Sequence, residues 1–178
     1  MTTKSQLPNN DVELEDLNLN SPLNFNNFQV DDIDMGETVN VTILIDNSGS
    51  MSGYKDILNE EINMMIDTWQ KWHHAPKIFL SIGTFGSTIE VITGFQPIIN
   101  VKPHVFNPNE SSTKLYDGCK DFLKNIIKQQ QDAMKAGIQT KNIFFVLTDG
   151  ADNDSNYDSA NEIKKMISVV LKDEQTMG

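Results

Sequence analysis

Five oxygen-bearing side chains in three separated segments carry the chemistry open to this chain. Asp46, Ser48 and Ser50 stand together in Ile45-Asp46-Asn47-Ser48-Gly49-Ser50-Met51, and Thr113 and Asp149 follow at long intervals. Each lies just past an apolar run or at the start of a helical pattern. In an α/β protein such positions gather at one rim, outside the carboxyl ends of parallel strands. Two carboxylates and three hydroxyls make a hard-oxygen donor set with only two formal charges. That set suits a small divalent cation that keeps waters and an open coordination position: Mg²⁺ first, with Mn²⁺ or Ca²⁺ as alternatives. The plainer reading gives the same Asp and Ser residues a local task, capping helices and turns. The three parts in order, each after the right kind of element, favour the metal.

At these residues the chain resembles the von Willebrand factor A (VWA) domain family. Asp46-Asn47-Ser48-Gly49-Ser50 fits that family's D-x-S-x-S motif, Thr113 its single threonine, and Asp149 in Leu147-Thr148-Asp149-Gly150 its distal aspartate. Ser112 stands where the family usually has glycine. The resemblance implies a metal-ion-dependent adhesion site. Ser48, Ser50 and Thr113 would touch the metal, Asp46 and Asp149 would hold it mainly through waters, and the sixth position would await an acidic group of a partner. Asn47, Met51, Ser52 and Ser112 would form the adjoining rim.

Composition narrows the rest. A chain of 178 residues suits one folded domain with a sizeable core. A net charge of −11 argues against a nucleic-acid or anionic-membrane surface, which needs clustered Lys and Arg. The lone cysteine, Cys119, has no internal partner, which fits a reducing compartment. It falls on an apolar helical stripe with Leu115, Phe122 and Leu123 and reads as a small buried hydrophobe. The N-terminus has no apolar signal region, and no run approaches the roughly 20 apolar residues that cross a bilayer. The expected location is cytoplasmic, which looks more like the intracellular prokaryotic branch of the resembled family than its secreted members.

The elements that must position the five oxygens follow from hydrophobic period. Residues 1–37 are rich in Asn and Asp and predict a flexible or loosely docked tail, with a weak alternation at Phe25 to Val30 that could add to a sheet edge or bind a partner. The folded domain is expected over 38–178. Val39 to Ile45 is a near-continuous apolar strand, as expected for one covered on both faces. Leu58, Ile62, Met65, Ile66 and Trp69 recur at helical spacing between Tyr54 and His73, and Pro76 ends that helix. Trp69 lies on the stripe, whereas Trp72 predicts a half-exposed ring. Lys77 to Phe85 and Thr88 to Ile92 predict a hairpin turning at Gly86-Ser87. Thr113 to Gly137 predicts a helix stopped by its glycine. Asn142 to Thr148 predicts a buried strand, and Ser159 to Lys172 a helix opened by a Ser159/Glu162 capping box. Alternating strands and helices imply a doubly wound, mostly parallel α/β sheet with one antiparallel edge strand.

Other candidates read more plainly. His73 and His74 lack an acidic or cysteine partner at ligand spacing. Asp152-Asn153-Asp154-Ser155-Asn156-Tyr157-Asp158 alternates oxygens like a Ca²⁺ loop but lacks the glycine and glutamate an EF-hand requires, so it predicts a solvated loop. The family would normally continue for two more strand-helix steps. Without them Asn142 to Thr148 becomes an open apolar edge that pairs with another copy or a complementing chain.

The function expected is a non-enzymatic, Mg²⁺-dependent protein-interaction module. By resemblance it would be an adaptor beside an AAA-type ATPase or in a stress or defence assembly. One alternative is a Mg²⁺-dependent hydrolase such as a phosphatase, but Ser48 stands where a haloacid-dehalogenase-like enzyme wants a second Asp, and no Walker loop exists. The other is a structural subunit whose metal only staples the rim.

Overall fold

The computed structural model describes residues 17–27, 37–156 and 158–176. Strand β1 (Glu37–Asp46) is the β-branched run at the centre, buried along nearly its whole length. It lies between two parallel neighbours, β2 (Ile78–Phe85) and β4 (Gln139–Leu147). Strand β3 (Ile89–Pro97) returns antiparallel on β2, so the sheet order is β3-β2-β1-β4. The doubly wound, mostly parallel sheet expected from the sequence is thus observed.

Helices cover both faces of the sheet, and both faces of β1 are buried although only one of them is apolar throughout Val39 to Ile45. Val41, Ile43 and Ile45 join Leu80 and Ile82 beneath Leu58, Ile62 and Ile66 of helix α1 (Lys55–Gln70). Leu44 and Phe85 face the other way, onto Phe122 of helix α2 (Leu115–Lys135). Helix α3 (Ser159–Thr176) packs beside α2, with Met166 against Phe79, Leu123 and Ile127. Helix α2 stops in a Schellman motif. Gly137 takes φ +76°, its N–H reaches Met134 O at 3.0 Å, and Ile138 N–H reaches Ala133 O at 2.9 Å. Among the described residues no helix is long and apolar enough to cross a membrane.

Several boundaries move from their expected places. A 3₁₀ turn over Gly49–Tyr54 precedes α1. Helix α2 begins at Leu115, so Thr113 stays in the preceding loop. Strand β3 runs on to Pro97, a residue without an N–H that an edge strand tolerates. Strand β4 begins at Gln139, and α3 reaches Thr176.

Of the segment expected to form a tail, residues 17–27 lie packed on the α2 face, while 1–16 and 28–36 fall outside the described residues. Leu17 and Leu19 join the Phe79–Leu123–Ile127 cluster. Phe25 is 7 % exposed and meets Phe122 edge to face at 4.9 Å. Asn27 Oδ1 accepts the Phe95 N–H at 2.9 Å, and Asn27 Nδ2 donates to Asn125 Oδ1 at 2.7 Å. Gly94 permits this docking, since a Cβ there would stand 1.5 Å from Phe25 O. Phe25 to Asn27 do not add a strand to the sheet, and Phe28 to Val30 lie outside the described residues.

Candidate metal centre

The parallel pairing of β1 with β4 brings the carboxyl ends of both strands to one rim. Asp46 is the last residue of β1 and is 0 % exposed. Its Oδ1 accepts the Ser48 N–H at 2.8 Å, folding the chain into a tight turn, and its Oδ2 accepts the Thr148 hydroxyl at 2.7 Å. Ser48 Oγ lies 3.0 Å from Ser50 Oγ, and Ser50 Oγ donates to Asp149 Oδ1 at 2.8 Å. Asp46, Ser48, Ser50 and Asp149 therefore form one hydrogen-bonded chain.

Thr113 reaches the rim by its backbone. The loop before α2 is pinned to the Asp46–Ser50 turn: Gly49 N–H donates to Glu110 O at 2.8 Å, and Asn109 and Glu110 N–H both donate to Asn47 O at 3.0 Å. From the other side Thr113 N–H donates to Asn153 Oδ1 at 2.8 Å, while Asn153 N–H donates to Thr113 O at 3.0 Å. Thr113 is buried, and its hydroxyl has no hydrogen bond to the other four.

Two residues that sequence reading passed over hold this arrangement. Glu110 accepts from Ser87 Oγ at 2.5 Å, Thr88 N–H at 2.8 Å and Asn47 Nδ2 at 3.1 Å. Burial would raise its carboxyl pKa, but these donors together outweigh burial and hold it below the usual value. Asp117 ties α2 to the start of α3. It accepts from the Ser159 hydroxyl, from Asn156 Nδ2 at 2.8 Å and from Lys120 Nζ at 3.3 Å. Burial opposes these donors too, and again the donors prevail, lowering its pKa.

The Ser159 hydroxyl therefore goes to Asp117, not to a capping box; the Asp158 carbonyl receives the Asn161 and Glu162 N–H groups instead. The loop expected to be merely solvated is a fastener. Besides Asn153, its Asp154 accepts the Ser112 hydroxyl at 2.9 Å, and its Asp152 accepts the Ser155 hydroxyl and the Tyr116 N–H.

Of the expected rim, Asn47 is half-buried and engaged with Glu110, Ser112 is half-buried, and Ser52 is exposed. Met51 is buried at 5 % exposure, so its side chain offers a partner little surface. His73 and His74 lie tilted against each other and meet Trp72 edge to face just past the end of α1. Burial, then Asp152, pushes the Cys119 thiol up to about 12, far from a reactive thiolate.

The donor set fits a hard divalent cation. Among the described residues no three His, Cys, Asp or Glu side chains converge as a metal cage. The rim cluster is built mostly of hydroxyls around two carboxylates, a chemistry Mg²⁺ accepts because it retains waters. Asp46 is fully buried, yet among the described residues no Lys, Arg or His forms an ion pair with it. A buried carboxylate is ordinarily paired or bound to a metal.

No family model matches the sequence, and no curated protein does. Among solved structures, the chain is similar to the pilus adhesin SpaC of Lactobacillus rhamnosus GG in its open conformation. The identity is 14 % and the TM-score 0.50, over 67 % of this chain and 15 % of the adhesin. It is also similar to VWA2, an ArnB paralog from Sulfolobus acidocaldarius, at 22 % identity and TM-score 0.40, over 71 % of this chain and 31 % of that one. A third similar structure is the SpRpn10 VWA domain, at 13 % identity and TM-score 0.33, over 72 % of this chain and 82 % of that one. The likeness is one of fold. The architecture is Rossmann-like. The chain spans only a minor part of the adhesin and of VWA2.

Proposed function

We propose that this chain is a non-enzymatic, Mg²⁺-dependent protein-interaction module. Ser48, Ser50 and Thr113 would hold the metal, with Asp46 and Asp149 acting mainly through waters. The carrying observation is Asp46: a carboxylate at 0 % exposure, hydrogen-bonded to Ser48 and Thr148, without a cationic side chain on it among the described residues. The bound cation would supply a Lewis-acidic position for a Glu or Asp side chain of the partner.

The chain's own residues make that recognition conditional. The net charge is −11, and Asp149, Asp152 and Asp154 stand beside the rim on Ser50, Tyr116 and Ser112. This field draws cations and repels a partner's carboxylate. Glu110 keeps the Asp46–Ser50 turn and the loop bearing Thr113 in fixed relation, so the hydroxyls are preorganised. Exposed Ser52 and half-buried Ser112 line the margin where a partner would touch.

Calorimetric titration with Mg²⁺ tests the site. Binding should be measurable in the native chain and lost in Asp46→Asn and Thr113→Ala; unchanged affinity in both variants would sink the assignment. Affinity capture with Mg²⁺ and with chelator tests the interaction, which should need the metal. Mg²⁺-dependent turnover of phosphoesters that disappears in Ser50→Ala would replace this reading with a hydrolase.

A further inference from the structure

Strand β4 ends the sheet: it pairs with β1 and, among the described residues, with nothing beyond. The N–H and C=O groups of such an edge are a template for another strand. Its side chains alternate. Phe144 and Val146 pack with α2. Ile143, Phe145 and Leu147, in register with Val41, Ile43 and Ile45, share the α1 side of the sheet. Helix α1 packs over β1 and β2, and these three stand 42 %, 45 % and 36 % exposed. On the opposite layer Ile167 of α3 is 43 % exposed, next to the stripe of Ile163, Met166 and Val170 that packs inward.

The sequence of β4 is complementary to itself in one register. Set antiparallel to a second copy with the two Phe145 residues opposed, Ile143 meets Leu147 of the second copy. Phe144 meets Val146 of the second copy, and Lys141 meets Asp149 of the second copy. Centring on Phe144 instead sets Lys141 against Leu147, and centring on Val146 sets Ile143 against Asp149. Cross-strand pairs stabilise a sheet when apolar faces apolar and opposite charges meet.

We propose that a second copy of this chain pairs antiparallel along β4, across a two-fold axis at Phe145. The two sheets become one, Ile143, Phe145 and Leu147 of both copies form a shared apolar strip, and two Lys141–Asp149 pairs bracket it. The contact is isologous and closes at two copies. A net charge of −11 on each copy opposes association at long range, but physiological salt screens charges beyond about 8 Å. Lys141 is mostly exposed and ion-paired with Glu37 at 3.3 Å, so reaching Asp149 of the second copy exchanges one exposed carboxylate for another. The pairing needs no metal.

Light scattering on the purified chain across micromolar concentrations, with chelator present, tests this. The expected mass is twice 20.0 kDa. In a Cys119→Ser background, Phe145→Cys should give a disulfide-linked dimer under mild oxidation. Ile143→Cys and Leu147→Cys should not crosslink alone but should when mixed. Lys141→Asp should weaken the dimer by about tenfold or more, whereas Lys141→Arg should keep it. A monomer at every concentration overturns the proposal and leaves the edge to a different polypeptide. So does a dimer that fails to crosslink through Phe145→Cys, or one indifferent to Lys141→Asp.

Discussion

At the scale of single residues, Asp46 decides most. Asp46→Ala would strip the acceptor from the Ser48 N–H and the Thr148 hydroxyl in a site with no exposure, costing about 1–3 kcal/mol for each stranded group. Asp46→Asn keeps an oxygen for Ser48 and removes only the charge. It should therefore stay folded, with a loss of no more than about 1 kcal/mol, while losing Mg²⁺ binding in calorimetry. Glu110 and Asp117 give an acid-side prediction. Both carboxyls are held below their usual values of 4.5 and 3.8, so their contribution is complete above those values. It is lost as pH falls through the lower folded-state values. Denaturant midpoints measured from pH 6 downward should fall in this range, and less steeply in Glu110→Gln. Asp121 runs the other way. Burial raises its carboxyl despite Lys124 and Lys120, so it favours the fold at low pH and less so as pH climbs. Asp121→Asn should raise stability at pH 7, and that gain should vanish in acid. The metal-ligand candidates were legible because an aspartate and two serines share one loop. Glu110 was not, because its partners stand 22 to 63 residues away and no local period marks it.

At the scale of elements, period predicted the four strands and three α-helices of the described residues but none of the short 3₁₀ turns, and close contact decided where they end. Phe122 sits between Phe25 and Gly83, where a Cβ would meet its ring at 1.9 Å. Gly94 does the same for the Phe25 carbonyl. Neither contact is visible in a pattern of apolar residues, which ends β3 at Ile92 and offers for Phe25 to Val30 only the addition of a strand to a sheet edge or a partner. Phe25→Ala removes a buried ring, a change that costs about 3–5 kcal/mol in a well-packed core. Gly94→Ala drives a methyl into the Phe25 carbonyl. Both should release 17–27 first, seen as faster hydrogen exchange there while β1 and β2 stay protected. Equal exchange in all three regions would mean that this segment and the sheet open together. Thr113 shows the same lesson in reverse: the helical pattern included it, but pinning by Asn153 and Glu110 keeps it in the loop, where its hydroxyl is free of helix geometry.

At the scale of the whole molecule, the order β3-β2-β1-β4 sets two features side by side. The carboxyl ends of β1 and β4 make the oxygen rim, and the outer edge of β4 runs up to the same Asp149. Metal binding and copy pairing therefore meet at one corner and share Asp149, which Ser50 engages at the rim and Lys141 of the second copy would engage at the edge; otherwise they draw on different groups, Asp46, Ser48, Ser50 and Thr113 for one, Lys141 through Leu147 for the other. A ligand that binds only the folded state stabilises it by about 2.7 kcal/mol at a hundredfold excess over its Kd, and dimerisation makes melting depend on chain concentration. For a chain of 178 residues the first effect amounts to a rise of about 5–10 °C in Tm. Saturating Mg²⁺ should thus raise the Tm of the native chain and of Lys141→Asp, but not of Asp46→Asn. Raising the protein concentration should lift the Tm of the native chain and of Asp46→Asn, but not of Lys141→Asp. If Asp46→Asn lost both responses, the rim and the edge would be one cooperative site, because the buried carboxylate would then be positioning β4 through Thr148.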